Sequence, residues 1–125
     1  MSEKQEAILY IGTHASDEIE KAAMPFVMAN AAIAMDIEAT VCLQGSGVYL
    51  AQKGYAKHLP KPGGFPPIEE LINTFIELGG KLLVCVPCIK ERNIDETTEL
   101  IEGAETTAAG TLNLQAVEAN AVFVY

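Results

Sequence analysis

The chain has 125 residues, enough for one domain that buries about two-thirds of the surface its unfolded form exposes. Half of it is hydrophobic and only 20% is charged, which is a globular composition and excludes a disordered one. A formal charge of -9 excludes a nucleic-acid binder that works through a basic face, and no stretch reaches the roughly 18 uninterrupted apolar residues of a membrane span.

The apolar run near the N-terminus is too short for a secretory signal, so the expected compartment is cytoplasmic. In that reducing setting three cysteines, an odd number, read as thiols with chemistry or burial to explain them and not as a disulfide framework.

In chain order, AILYIG (7–12) is a short apolar run ending in Gly and predicts a strand buried on both faces. Ser16, followed by Asp17 and Glu18, predicts a helix start with a capping side chain, and the helix should reach about Met35. Pro25 falls inside it, so either a kink there or a true start nearer Lys21 is expected. Within that helix MPFVMANAAIAM (24–35) has one polar side chain, Asn30. Its second apolar flank calls for a cover, and a further subunit packing on Ala29, Ala31, Ala32 and Ala34 is the expected one.

EATVCL (38–43) predicts the second strand, with Cys42 as core filler. Gln44 to Gly47 turn into a short helical piece at 48–54, and the proline-rich stretch 55–67 predicts a loop. Residues 68–80 form an amphipathic helix stopped at Gly79. KLLVCV (81–86) is the third strand, CIKERN (88–93) a short helix and DETTELIEG (95–103) another helical segment. AETTAA (104–109) is the fourth strand, 110–120 a helix and AVFVY (121–125) the fifth strand. Strands alternating with helices predict a small doubly wound α/β domain over 1–125, with a mainly parallel five-stranded sheet and helices on both faces.

In such sheets ligands bind outside the carboxyl ends of the strands, at the point where strand order reverses. Gly12-Thr13-His14, Gln44 to Gly47 and Cys85 to Cys88 all leave those ends. The first and third strands are expected as neighbours there, which would bring His14 towards Cys85 and Cys88. A thiol between a strand end and a helix start should be stabilised as thiolate by the dipole and free N–H groups. The turn Gly45-Ser46-Gly47 is an anion-binding candidate, as are Lys53, Lys57 and His58, which lie in a stretch from 39 to 68 without acidic residues.

Three chemistries fit a C-x-x-C pair. A thioredoxin-type dithiol normally follows the first strand and opens a long helix, whereas this pair follows the third and opens a short one. A structural zinc site needs two close ligand pairs, and His14, His58 and Cys42 are scattered, so neither metal nor cofactor is called for. A thiolate that accepts sulfur as a persulfide needs a reactive Cys and an anion-friendly pocket. A non-catalytic oligomeric binding module with packed or redox-sensing cysteines is the alternative from another class.

The segments LYIGTHASDEIEKAAMPFVMANAAIAM, VCLQGSGVYL, IEELINTFIELGGKLLVCVPCIKERNI and LIEGAETTAAGTLNLQAVEANAVFVY, in this order and spacing, resemble the DsrE/DsrF-like proteins of sulfur relay. The resemblance implies a Rossmann-like fold in homo- or hetero-oligomers, commonly trimers or hexamers. It also implies a cysteine at the end of the third major strand, a few residues before an Arg-Gly pair, that receives and passes on sulfur. Cys85 stands at that position, with Arg92-Asn93 in place of Arg-Gly, and Asn tolerates the left-handed conformation well. The implied donor or acceptor is a small sulfur-containing anion or a protein persulfide, and Cys88 is an additional thiol that resolves, assists or offers a second acceptor.

Overall fold

The structure, a computed structural model, describes residues 5–125, and the polar start at 1–4 lies outside them. The strands are Ala7–Gly12 (β1), Glu38–Leu43 (β2), Lys81–Cys85 (β3), Ala104–Thr107 (β4) and Ala121–Val124 (β5). The helices are Ile19–Ala34 (α1), Ile68–Glu77 (α2), Val86–Glu91 (α3) and Ala109–Glu118 (α4). All pairings are parallel and the strand order is β4-β3-β2-β1-β5. Parallel neighbours need crossovers, which are right-handed. The chain steps from β1 out to β4 and then returns to the far side of β1. Right-handed crossovers therefore put α1, α2 and α3 on one face and α4 on the other.

This order corrects the expected adjacency of the first and third strands. β2 lies between them, with Gly12 opposite Leu43 and Leu43 opposite Val84. The chain turns back only after β4, so the connections leaving the carboxyl ends of β3 and β4 go to opposite faces, and β5 comes to lie on the far side of β1. There the Thr13 N–H and hydroxyl both donate to the Tyr125 carbonyl, at 2.9 and 2.8 Å.

The α1/α2 face carries the main core. Alternate strand residues Tyr10, Val41, Leu43, Leu82 and Val84 meet Phe26 and Ala29 of α1 and Leu71, Ile72 and Phe75 of α2. The second flank of α1 is covered within the chain, by α2, and Asn30 Nδ2 donates to the Leu71 carbonyl at 3.2 Å. The apolar length of α1 thus needs no further subunit. Ala31 and Ala34, offered as packing residues, face solvent, whereas Ala29 and Ala32 are buried.

α1, α2 and α3 all end in the same way. Asp36, Gly79 and Asn93 take left-handed φ values of 62°, 88° and 56°. The N–H of the next residue then reaches back to the helix, Ile37 to Ala32, Gly80 to Phe75 and Ile94 to Ile89. These are Schellman closures, and Asn93 meets the conformational demand that Gly meets at 79.

Two local expectations fail for identifiable reasons. Ser16 does not cap α1: the helix starts at Ile19, its N-cap Glu18 makes no side-chain cap, and it runs through Pro25. The Asp17 carboxylate is turned upstream, to the Ala15 N–H and to His14. Residues 95–103 form no helix either. Asp95 Oδ1 accepts from the Thr97 N–H and hydroxyl, a side-chain turn that competes with helix formation. The following residues instead pair with the segment after β2, Gln52 bridging Leu100. The proline-rich stretch contains a single 3₁₀ turn, Ala56–His58, and Pro62 is buried. Among the described residues no helix is long and apolar enough to cross a membrane.

Candidate functional site

Residues leaving β2 and β3 build the site. After β2 the chain enters a 3₁₀ helix, Gly45–Ala51, which packs on α3 and on the end of β1. Gly47 makes that possible: a Cβ there would stand 2.3 Å from the Gly12 carbonyl oxygen. After β3, Cys85 serves as N-cap of α3, with Pro87 tolerated in the first turn, where helix N–H groups lack partners anyway. One turn on, Cys88 comes back over Cys85.

The two sulfurs lie 2.7 Å apart, and both residues are half-buried. Cys88 Sγ also accepts the Gly45 main-chain N–H at 3.3 Å. Arg92, one further turn along, donates from Nη1 to the Cys88 carbonyl at 3.1 Å. Its guanidinium sits 5.8 Å from the centroid of the Tyr49 ring, a cation–π contact. Tyr49 stacks on Tyr55 at 5.3 Å, and the Tyr55 hydroxyl accepts the Ser16 N–H at 3.2 Å. A row of two tyrosines and an arginine therefore runs along the rim from the end of β1 to the thiols.

The electrostatics correct the expectation of a ready thiolate at Cys85. Burial pushes its thiol above the ordinary range, and the neighbouring Cys88 sulfur adds to this, while the Cys88 main-chain N–H and Arg92 oppose it. α3 has only 6 residues, so its dipole is weak against desolvation. Cys42 is fully buried, and burial first, then the two other cysteines, pushes its thiol up to about 12.

The other sequence candidates are placed as follows. His14 Nδ1 bonds Asp17 Oδ2 at 2.7 Å, at the end of β1 and across β2 from the thiols. The Ala15 N–H first, then His14, hold the Asp17 carboxyl below its usual range. Gly45 directs its N–H to Cys88 and Gly47 directs its own to the Gln44 carbonyl; Ser46 between them is half-buried. Lys53, Lys57 and His58 are exposed, and among the described residues none of them forms an ion pair. The cation whose charge reaches Cys85 is Arg92. Sequence reasoning took Arg92 only as half of a dipeptide; its spacing from Cys88, four residues on a helix, was the available signal. Tyr49 and Tyr55 gave no such signal, because the turns that stack them are not periodic. Among the described residues no three His, Cys, Asp or Glu side chains gather as a metal-holding group.

A model of the DsrE/DsrF-like family matches residues 6–125. Two curated relatives come from Methanocaldococcus jannaschii. The uncharacterized protein MJ0760 is 32% identical over 108 residues, 86% of this chain, and this chain spans only 38% of its length. The uncharacterized protein MJ0989 is 37% identical over 86 residues, 69% of this chain and 70% of its own. Among solved structures the ychN protein of E. coli superposes with a TM-score of 0.70 at 17% identity, over 98% of this chain and 100% of its own. The protein of unknown function MTH1491 from Methanobacterium thermoautotrophicum does so with a TM-score of 0.71 at 11% identity, with the same coverage. At these identities the structural likeness speaks for the α/β fold.

Proposed function

The chain belongs to the DsrE/DsrF-like family, associated with sulfur relay, and on that premise we propose that it is a sulfur carrier or sulfurtransferase whose acceptor is Cys85. One observation carries the reading: two half-buried sulfurs in contact at the carboxyl end of β3, beside an arginine. The donor is a small anion carrying sulfane sulfur or a protein persulfide. Arg92 and the Tyr49 face offer it a cation beside the sulfur, and the exposed Lys53 and Lys57, with His58 next to Lys57 in the chain, add positive charge on the approach. Assembly of several copies belongs to the same reading, supported by the exposed apolar side chains Leu114, Val117 and Val124 on α4 and β5.

Incubation of Cys88→Ser protein with thiosulfate, tetrathionate or a persulfide donor, followed by intact mass measurement, should show a sulfur adduct that the added Cys85→Ser change abolishes. A Cys88→Ser protein that gains no mass from any of these donors removes the carrier function. The same contact favours a second reading, a dithiol that exchanges with substrate disulfides. That reading expects oxidation of the pair without any sulfur adduct, prevented by either Cys→Ser change.

A further inference from the structure

A carrier thiol keeps its sulfur only while no second thiolate reaches the persulfide. Here Cys88 Sγ lies 2.7 Å from Cys85 Sγ. That separation is less than one ångström beyond the roughly 2.05 Å of a disulfide bond. Cys88 is also held in place: the Gly45 N–H reaches its sulfur at 3.3 Å, and Arg92 fixes its carbonyl at 3.1 Å. Closing the pair therefore asks the two sulfurs to approach each other by less than one ångström. Cys42, sealed in the core, cannot substitute for it.

Resting on the carrier reading, we infer that the pair reduces the sulfur it accepts: Cys88 attacks the Cys85 persulfide, the two cysteines close as a disulfide, and hydrosulfide leaves. The step starts from the Cys85 persulfide anion and the Cys88 thiol. A bond forms between Cys88 Sγ and Cys85 Sγ, and the bond from Cys85 Sγ to the outer sulfur breaks. The electron pair of the broken bond goes with the outer sulfur, which takes the Cys88 proton and departs as HS⁻. The outer sulfur is reduced by two electrons and the cysteine pair is oxidised by two, so no outside oxidant takes part. A dithiol reductant resets the disulfide to two thiols by two exchange steps. An acceptor that takes sulfur from Cys85 intact must compete with Cys88, so the second thiol sets how long the persulfide survives.

The test separates loading from discharge. Reduced protein, freed of reductant under inert gas, is given thiosulfate and, in a parallel series, glutathione persulfide. Released sulfite or glutathione counts the sulfur loaded, and hydrosulfide above a Cys85→Ser blank counts the sulfur discharged. The wild type should release one hydrosulfide per sulfur loaded and finish two hydrogens lighter. Cys88→Ser and Cys88→Ala should load equally, release none and retain the mass of one sulfur atom. A wild type that loads and keeps its sulfur without hydrosulfide overturns the discharge step and leaves the carrier reading standing. Neither sulfite nor glutathione above the blank overturns both.

Discussion

On one side of the sheet α1 and α2 press Phe26 and Phe75 edge to face, 5.7 Å between ring centroids, over five strand side chains. On the other side α4 alone lies over Leu9, Cys42 and Leu83, chiefly through Leu112, and leaves its own Leu114 and Val117 in solvent. The same five strands thus serve a thick core and a thin one. The thick face stiffens the elements that deliver the thiols, because β2, β3, α3 and the 3₁₀ helix all anchor buried residues there. The thin face contributes less to the stability of the isolated chain and keeps apolar surface available.

The comparison breaks most visibly in the core. Phe26→Ala should lower unfolding stability by about 3–5 kcal/mol, and Leu112→Ala by about 2 kcal/mol, as read from urea titrations. Equal losses would mean that the two faces contribute alike. Gly47→Ala should follow at about 1–3 kcal/mol, because its new methyl group must displace the Gly12 carbonyl. It should also speed alkylation of Cys88 by loosening the Gly45 contact; unchanged alkylation would show that the 3₁₀ helix does not hold the thiol.

The pH dependence sharpens the contrast between buried and rim thiols. Both Cys42 and Cys85 have folded-state pKa values raised above the 9.0 of a free thiol. Each therefore contributes stability that is complete below pH 9.0 and is lost as pH rises towards the folded value. Chemical unfolding should show stability falling from pH 9 towards about 12, and Cys42→Ala should flatten that decline. Cys88→Ala removes two of the causes that raise Cys85, so the pH profile of Cys85 alkylation should move down. A profile that stays put would place the whole shift in burial.

The smallest effect on the fold is expected on the outer side of α4. Val117 is 82% exposed, and Val117→Lys should change the stability of a single chain by no more than about 0.5 kcal/mol. Light scattering should nevertheless show a lower solution mass, with an unaltered circular dichroism spectrum. An unchanged mass would place any interface between copies away from α4.

Much of the fold was legible from local pattern. The apolar run 7–12 marked a strand buried on both faces, and Gly79 marked the end of α2. The left-handed role of Asn93 followed from the Gly that the family resemblance puts at its place, together with the tolerance of Asn for that conformation. Strand order was not, because whether β2 or β3 lies beside β1 depends on how crossovers pack and not on any residue in the strands. The failed helix at 95–103 turned on Asp95 bonding Thr97 in preference to the helix ladder. In the site, the position of Cys85 followed from the strand end, and the charge state did not. Burial outweighs a short helix, and burial is a property of everything that surrounds the sulfur.

Cys42 gives the thin face a clock of its own. Its thiol reacts with an alkylating reagent only when α4 lifts or the whole chain unfolds, since it is 0% exposed between the sheet and that helix. With the two rim thiols blocked, the labelling rate of this one sulfur in native buffer measures how often that opening occurs. Its response to small amounts of urea tells a local lift, nearly insensitive to denaturant, from the steep dependence of global unfolding.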